Sequence, residues 1–487
     1  MNFDEIKTDD DLQKYITTEK HRLVGLQAEA SSRYFDDKHH FQSALLAIDL
    51  RSIFHIITLK DTDEIFIYNT ETGLYEGDGK IGYNTLKEKI KFILGNSYSE
   101  YHAKAVIDNI KATKFTNRED FVVPIQFIPV ENGVLDISKN SVELINYSKK
   151  FYFTKKLFVI YDPIAECPKF QKFLKEILPE EKSRLQIQEM FGWTLWRNYT
   201  HQVAFMLVGE GSNGRSTLLN VLGHLLGNEN VTSIPLHELC KNRFATAELY
   251  QKFANIAPDI SKGKIEDSSS FKTLTGGDLL KAERKFCNPF YFVNYAKLIF
   301  SANKLPYTTD RSYAYYRRWM LIFFNIRFGD DGLPKDIKIL EKITTPEEMS
   351  GILNWSLEGL KRLNEQGDFT ERMSVEATRD YYNKLLSPTY SFIIDNIMET
   401  DEPDDFIPKS YLWQELLDYC EKNQLPKPTS QKKVAYVMKK HFTKIKTAQK
   451  TIEKRHIVRV WQFCRFVYNS DNLKLQEFLD GEVDDVS

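Results

Sequence analysis

The sequence predicts an α/β protein with a glycine-loop (P-loop) core, a mixed α/β domain before it and a winged helix after it. Three observations predict this. The apolar run Val203 to Val208 leads into GEGSNGRST (Gly209 to Thr217) and then into the helix-periodic LLNVLGHLLG. Two later apolar runs each end in a polar residue, KFANIAPDIS at Asp259 and YAKLIFSAN at Asn303. Near the C-terminus, two amphipathic helices precede two β-rich runs joined by a basic turn.

A chain of 487 residues is too long for one compact core. Five segments are expected. They are a mixed α/β domain over 1–115, a region ahead of the core over 116–198, and the core with a helical extension over 199–385. A winged helix over 386–470 and an acidic tail over 471–487 complete the chain. Apolar content of 42% and charged content of 28% suit a folded domain, and a net charge of −2 gives no overall attraction to nucleic acid. Any such role has to come from local patches. The five cysteines are scattered without a C-x-x-C pair, which argues against a disulfide framework or zinc site and suits a reducing cytoplasm. The acidic N-terminus has no apolar signal core, and no apolar run approaches the ~18 residues of a membrane span.

The first 50 residues are charged and read as helical. His39 and His40 beside Asp36 and Asp37 read as a solvated helix face, since no metal-ligand spacing recurs nearby. FHIITL and EIFIYN read as strands, and LKEKIKFIL and AKAVIDNIKA as helices. VPIQFIPVENGVLDI is a strand–turn–strand about Asn132-Gly133. FYFTKKLFVIYD reads as another strand pair, and FQKFLKEILPEEKSRLQIQEMFGWTLW as helical.

The loop fits G-x-x-x-x-G-K-[ST] at Gly209, Gly214 and Ser216, with Arg215 at the lysine position. Glycines let backbone N–H groups turn inward, and the following helix adds its positive end, so a polyphosphate can be held. Gly209, Glu210, Gly211, Ser212, Asn213, Gly214, Arg215, Ser216 and Thr217 are the candidate binders; a ligand-free strand-to-helix turn is the alternative. Asp259 ends its strand where a carboxylate can meet metal and water, or can cap a helix. Asn303 can touch a γ-phosphate or attacking water, or can serve a turn before Pro306. Arg317 and Arg318 precede an apolar strand, where an arginine can reach a nucleotide on a neighbouring subunit or simply lie at the surface. Between the second and third strands, Lys281, Arg284 and Lys285 cluster ahead of Phe286 on a hairpin. Charge beside an aromatic ring suits single-stranded nucleic acid; a solvated turn is the alternative.

Taken in order, GEGSNGRSTLLNVL, LYQKFANIAPDIS, SSFKTLTGGDLLKAERKF, YAKLIFSANKLPYTTD and YYRRWMLIFF resemble the superfamily 3 helicases. The likeness is nearest to the helicase part of phage and plasmid primase–helicases, related to the poxvirus helicase–primase, and spans roughly residues 125–375. It implies an AAA+-like hexameric ring that hydrolyses ATP with Mg²⁺ and moves on single-stranded or forked DNA. By that resemblance Ser216 and Asp259 serve the metal, Asn303 senses the γ-phosphate, and Arg318 is the arginine finger with Arg317 next in line. Lys285 and Phe286 match the channel hairpin. Two departures stand out: Arg215 replaces lysine, a change of shape and donor geometry, and Pro258 stands where some members carry a first acid. Residues 1–115 are too few for a primase domain, so a primase or polymerase is expected as a separate chain.

In the C-terminal part, MSGILNWSLEGLKRL extends the core as helix. SYLWQELLDYCEKN, SQKKVAYVMKKHF with Ser430 as cap, FTKIKTAQK and KRHIVRVWQF then give the helix–helix–hairpin order of a winged helix. Between Lys427 and Arg459 only Glu453 opposes many basic residues, including Lys432, Lys433, Lys439 and Lys440. Duplex DNA is the expected partner, with a basic but structural helical pair or a protein-docking wing as alternative. The whole reads as a replicative helicase of a phage, plasmid or other mobile element, acting in a host cytoplasm or viral replication site. A nucleotide-gated initiator with little hydrolysis is the alternative that Arg215 and Pro258 suggest.

Overall fold

The computed structural model describes residues 9–77, 80–113, 115–139, 141–258, 265, 268–303, 308, 310–329, 334–423, 425, 427–452 and 456–479. The chain forms two compact units, residues 1–372 and 373–487.

The first unit begins with helices Asp9–Arg33 and Ser43–Ile53, then strands β1 (Ile56–Leu59), β2 (Ile65–Asn69) and β3 (Leu74–Glu76). Helices Ile81–Leu94 and Glu100–Thr113 follow, and β4 (Phe115–Thr116) completes a sheet of order β3-β2-β1-β4. The helices turn Leu50, Leu86, Ile90 and Val106 toward Ile56 and Ile67 of the sheet. The stretch around His39 is a turn and not a helix face. The backbone N–H groups of Lys38 and His40 donate to the Asp36 carboxylate across a turn bridged by Phe35 and Phe41. A carboxylate that accepts local N–H bonds competes with the helix for them.

An antiparallel sheet comes next, β5 (Phe127–Val130), β6 (Gly133–Asp136) and β7 (Glu143–Ile145), turning at Asn132-Gly133 as expected. FYFTKKLFVIYD does not form the expected strand pair. Its backbone bonds are scattered: Tyr75 N–H donates to Phe153, Leu157 N–H to Pro129, and Glu131 N–H to Val159. Phe153, Leu157 and Val159 are buried, so the apolar alternation records anchoring in the core, not strand pairing.

Helices Pro168–Ile177 and Glu181–Leu195 are split near Pro179, which cannot continue the first. The main sheet then assembles from β8 (Ala204–Val208), β9 (Val231–Thr232) and β10 (Ala254–Ala257). An antiparallel hairpin, β11 (Leu279–Ala282) with β12 (Phe290–Val293), interrupts before β13 (Lys297–Ala302) and β14 (Trp319–Phe323). The five main strands are parallel in the order β14-β8-β13-β10-β9. Every residue of β8, β10 and β13 is buried, as expected of parallel strands covered on both faces. Helices Glu181–Leu195, Arg215–Leu226 and Pro346–Gln366 share their core, while Phe271 stacks on Trp319 at 4.7 Å.

The second unit holds helices Val375–Leu386, Pro388–Asn396, Lys409–Lys422, Gln431–His441 and Asn469–Leu479. Its strands are β15 (Ile397–Glu399), β16 (Phe406–Pro408), β17 (Lys446–Ile452), β18 (His456–Gln462) and β19 (Cys464–Phe466). Hairpin β17–β18 sets Lys446 opposite Gln462, and β16 adds to β18. Ser430 caps helix Gln431–His441, its hydroxyl accepting from the Lys432 N–H at 3.1 Å. That helix buries Val434, Val437 and Met438. Helix Val375–Leu386, read from the sequence with the core, falls in this unit. Residues 471–479, read from the sequence as the start of an acidic tail, lie in helix Asn469–Leu479, with Leu475 buried and Phe478 4.9 Å from Tyr411.

Candidate nucleotide site and nucleic-acid interface

Strand register decides which residues meet. Val208 of β8 lies opposite Ala302 of β13 and Phe323 of β14, and Ala257 of β10 opposite Phe300. The carboxyl ends of these parallel strands therefore share one sheet edge, the usual place for ligands in such sheets. Gly209, Asn303 and Pro258 leave the strands there. Asp259 lies outside the described residues.

The loop reverses sharply, with φ of 59° at Ser212 and 83° at Gly214. A Cβ on Gly214 would strike the Ile177 side chain, and one on Gly209 would lie 2.5 Å from the Phe324 carbonyl. Asn213 is buried inside the turn. Its Nδ2 donates to the Phe324 carbonyl at 3.3 Å, and its Oδ1 accepts from the Arg215 backbone N–H at 3.3 Å.

Arg215 turns inward. It is 5% exposed, and all five N–H donors of its side chain are engaged. Nε donates to Asn213 Oδ1 at 3.1 Å; Nη1 donates to the carbonyls of Leu207 at 3.1 Å and Ala302 at 2.6 Å. Nη2 donates to the Glu210 carbonyl at 3.1 Å and to Asn303 Oδ1 at 2.6 Å. One guanidinium thus ties the loop to β8, β13 and Asn303. Lysine, with three donors on a single nitrogen, cannot span the same set.

Glu210, Gly211, Ser212 and Ser216 are exposed at the loop. The loop from Gly211 to Thr217, with Pro258 and Asn303, lines a cavity of about 1000 Å³. Lys169, Lys172, Lys335 and Lys342 line it too, beside an apolar wall of Phe173, Phe328 and Ile339. Sequence reading missed these residues. Lys169, Lys172 and Phe173 come from helix Pro168–Ile177, whose Ile177 and Phe173 pack on Gly214. Their strong one-sided apolar pattern was the only available signal.

Arg317 and Arg318 stand at the opposite edge. Trp319 pairs with Ala204, so the five residues of β8 separate the pair from the loop by about 16 Å. Arg318 is 7% exposed; its Nε donates to Thr275 Oγ1 at 2.9 Å and its Nη1 to the Ala314 carbonyl at 2.5 Å. Burial pushes its pKa down to about 10. Arg317 is half-buried and donates to Gln202 Oε1 at 2.7 Å.

On the hairpin, Leu280, Ala282, Phe290 and Phe292 point inward. Phe286 at the tip is 105% exposed with a φ of 63°, and Lys285 is exposed beside it. Arg284 folds back instead: its Nη1 pairs with Glu64 at 2.8 Å and its guanidinium lies 5.1 Å from the Phe290 ring. Lys281 pairs with Glu283 at 3.0 Å. In the second unit Lys432, Lys433, Lys439 and Lys440 are exposed, and among the described residues no ion pair holds them. Tyr436 is exposed on the same helix, 5.5 Å from the Lys440 ammonium. By contrast Lys427, Lys444 and Lys450 pair with Glu421, Asp401 and Asp404.

Two family models match parts of the chain. Residues 34–179 match the family described as D5 N terminal like, and residues 207–318 match a family of unknown function, DUF5906. A curated relative is the "Putative helicase L207/L206" of Acanthamoeba polyphaga mimivirus, 25% identical over 273 residues and 52% of this chain. The chain spans 28% of that relative's length. Among solved structures, an apo form of the NrS-1 C terminal region covers 85% of this chain and 97% of its own, at 13% identity and a TM-score of 0.41. A second, residues 305–718 of the same region, covers 86% and 100% at 14% identity and a TM-score of 0.42.

Proposed function

We propose that the first unit is an ATP-hydrolysing motor of the superfamily 3, AAA+-like class. On this reading it assembles into a ring, probes DNA with its hairpin, and serves as a replicative helicase of a viral or other mobile element. One observation carries the reading: a glycine loop, the guanidinium behind it and the amide of Asn303 converge at the carboxyl edge of a parallel sheet. The likeness of half the chain to a relative named as a helicase supports it.

The loop N–H groups and the start of helix Arg215–Leu226 would hold the triphosphate. Ser216, exposed at the helix start, would ligate Mg²⁺, with Asp259 as its proposed partner. Lys172 and Lys335 would supply the outward positive charge that Arg215, turned inward, does not. Arg215 then acts by positioning Asn303 and the loop. The arginine pair cannot reach its own loop, so it would complete a neighbour's site, and exposure favours Arg317 over Arg318. Lys285 and Phe286 would grip the strand, and the second unit, as a winged helix, would bind duplex DNA through Lys432, Lys433, Lys439 and Lys440.

The test is steady-state ATP hydrolysis by the full chain with and without single-stranded DNA. Stimulated turnover is expected; none from a pure, ring-forming sample would end the motor reading. The saturated guanidinium of Arg215 favours one alternative, a nucleotide-gated initiator that binds ATP and hydrolyses it slowly.

A further inference from the structure

A second large cavity lies away from the phosphate loop. It encloses about 1050 Å³ within the first unit, bounded by the segment Asn117 to Ile125, by Arg197 to Gln202, and by the outer face of the β11–β12 hairpin. That volume exceeds the need of one small ligand and accommodates one or two nucleotides.

Its lining combines π-faces with positive charge. Tyr152, Tyr250 and Tyr291 supply the rings, and the cations Lys60, Arg118 and Arg197 outnumber the carboxylates Asp61 and Glu119. Arg118 is spoken for. It lies 5.0 Å from the Tyr250 ring and 4.8 Å from Phe290, and it pairs with Asp61 at 2.7 Å and Glu64 at 3.2 Å, so it stiffens the aromatic wall. Arg197 is different. Its Nη2 donates to the carbonyls of Pro124 at 2.9 Å and Phe127 at 2.5 Å, while its Nε is buried with no hydrogen-bond partner. Among the described residues no carboxylate pairs with it. The guanidinium lies 5.8 Å from the Phe153 ring, and Arg197 as a whole is half-buried and lines the cavity, so an acceptor that enters can meet its remaining donors. The rim is apolar and open: Val122, Leu279, Tyr291 and Val293 are all more than half exposed.

We infer that this cavity is a nucleotide-binding pocket in which a base stacks on the tyrosines and a phosphate meets Arg197 and Lys60. Stacking plus charge, without base-edge readout, is how single strands are held regardless of sequence. The occupant is a nucleotide of a DNA strand led in along the hairpin, whose exposed tip carries Lys285 and Phe286. The strand source rests on the motor reading; the pocket's chemistry does not.

The experiment uses the full chain in EDTA without triphosphate, so the loop does not contribute. Probes are (dT)10 and dTMP analogues carrying 5-iodouracil, photo-cross-linked and mapped by peptide mass spectrometry. Cross-links at Tyr152, Tyr250 or Tyr291 are expected. R197Q should weaken (dT)10 binding by about tenfold. T200W, which fills the cavity from an exposed rim position, should abolish the cross-links while leaving thermal unfolding and DNA-free ATP turnover unchanged. Cross-linking by (dT)10 alone identifies a strand; equal cross-linking by the mononucleotide identifies a free nucleotide and supports the pocket while removing the strand source. Pocket cross-links in a protein that fails to unwind DNA would uphold the pocket and sink the motor. Cross-links confined to Phe286, or unchanged in T200W, would overturn the inference. So would an absent pocket signal with a smaller oligomer in T200W, which assigns the groove to a second copy of the chain.

Discussion

Substituting Arg215 tests whether the guanidinium positions the site or binds phosphate. Three of its five acceptors, the Leu207 and Ala302 carbonyls and Asn213 Oδ1, belong to buried residues where water cannot take over. At about 1 kcal/mol net per broken bond, R215A should cost about 3 to 4 kcal/mol once the missing packing is included. R215K keeps at most three donors and should cost about 1 to 2 kcal/mol. For a unit this large each kcal/mol lowers Tm by about 2 °C, so drops of about 6 to 8 °C and 2 to 4 °C are expected. Because Nη2 also holds Asn303, R215K should lose ATP turnover by about tenfold or more, as expected when a positioned group is released. The assay pairs thermal unfolding with steady-state hydrolysis on the same samples. An R215K protein with unchanged Tm and faster hydrolysis would refute the positioning role and favour the slow initiator.

Other consequences can be checked separately. G214A places a Cβ against Ile177 at a φ of 83°, so nucleotide affinity and Tm should both fall, by about 1 to 3 kcal/mol in stability. F286A removes a fully exposed ring; stability should hold within about 0.5 kcal/mol while DNA stimulation of turnover falls. Replacing Lys432, Lys433, Lys439 and Lys440 by Gln should weaken duplex binding across sequences, and each phosphate left without its lysine should flatten the salt slope by about 0.9. Lys297 is buried beneath the rings of Trp193 and Tyr199, and burial, then the Arg197 charge, hold its pKa well below the usual value. Between the folded and unfolded pKa values the unfolded chain binds more proton, so this group's contribution to stability rises with pH through that window and is poorer at pH 7 than at pH 10. K297M should therefore raise Tm more at pH 7 than at pH 10.

What the sequence made legible was local. GEGSNGRST could be read because glycine, serine and a following apolar helix lie together in the chain. The direction of Arg215 could not, because its acceptors are brought from Leu207 and Ala302 by strand register. Lys172 lies 42 residues before Gly214 and joins the site only through the packing of Ile177 and Phe173 on that glycine. Arg284 looked like part of the hairpin's DNA-facing cluster until the fold supplied Glu64 as its partner. Likewise an arginine ahead of an apolar strand reads as a surface residue or a finger, and Thr275, 43 positions earlier, is what draws Arg318 inside. FYFTKKLFVIYD carried the apolar content of strands, but its backbone partners lie on segments that pair with it one bond at a time.

The most direct test of the motor is strand release from a forked DNA duplex at a fixed excess of full-length protein, with ATP or a non-hydrolysable analogue. Release with ATP, none with the analogue, and loss of release in F286A are expected. Tight binding of both fork and ATP with no strand released would contradict the account.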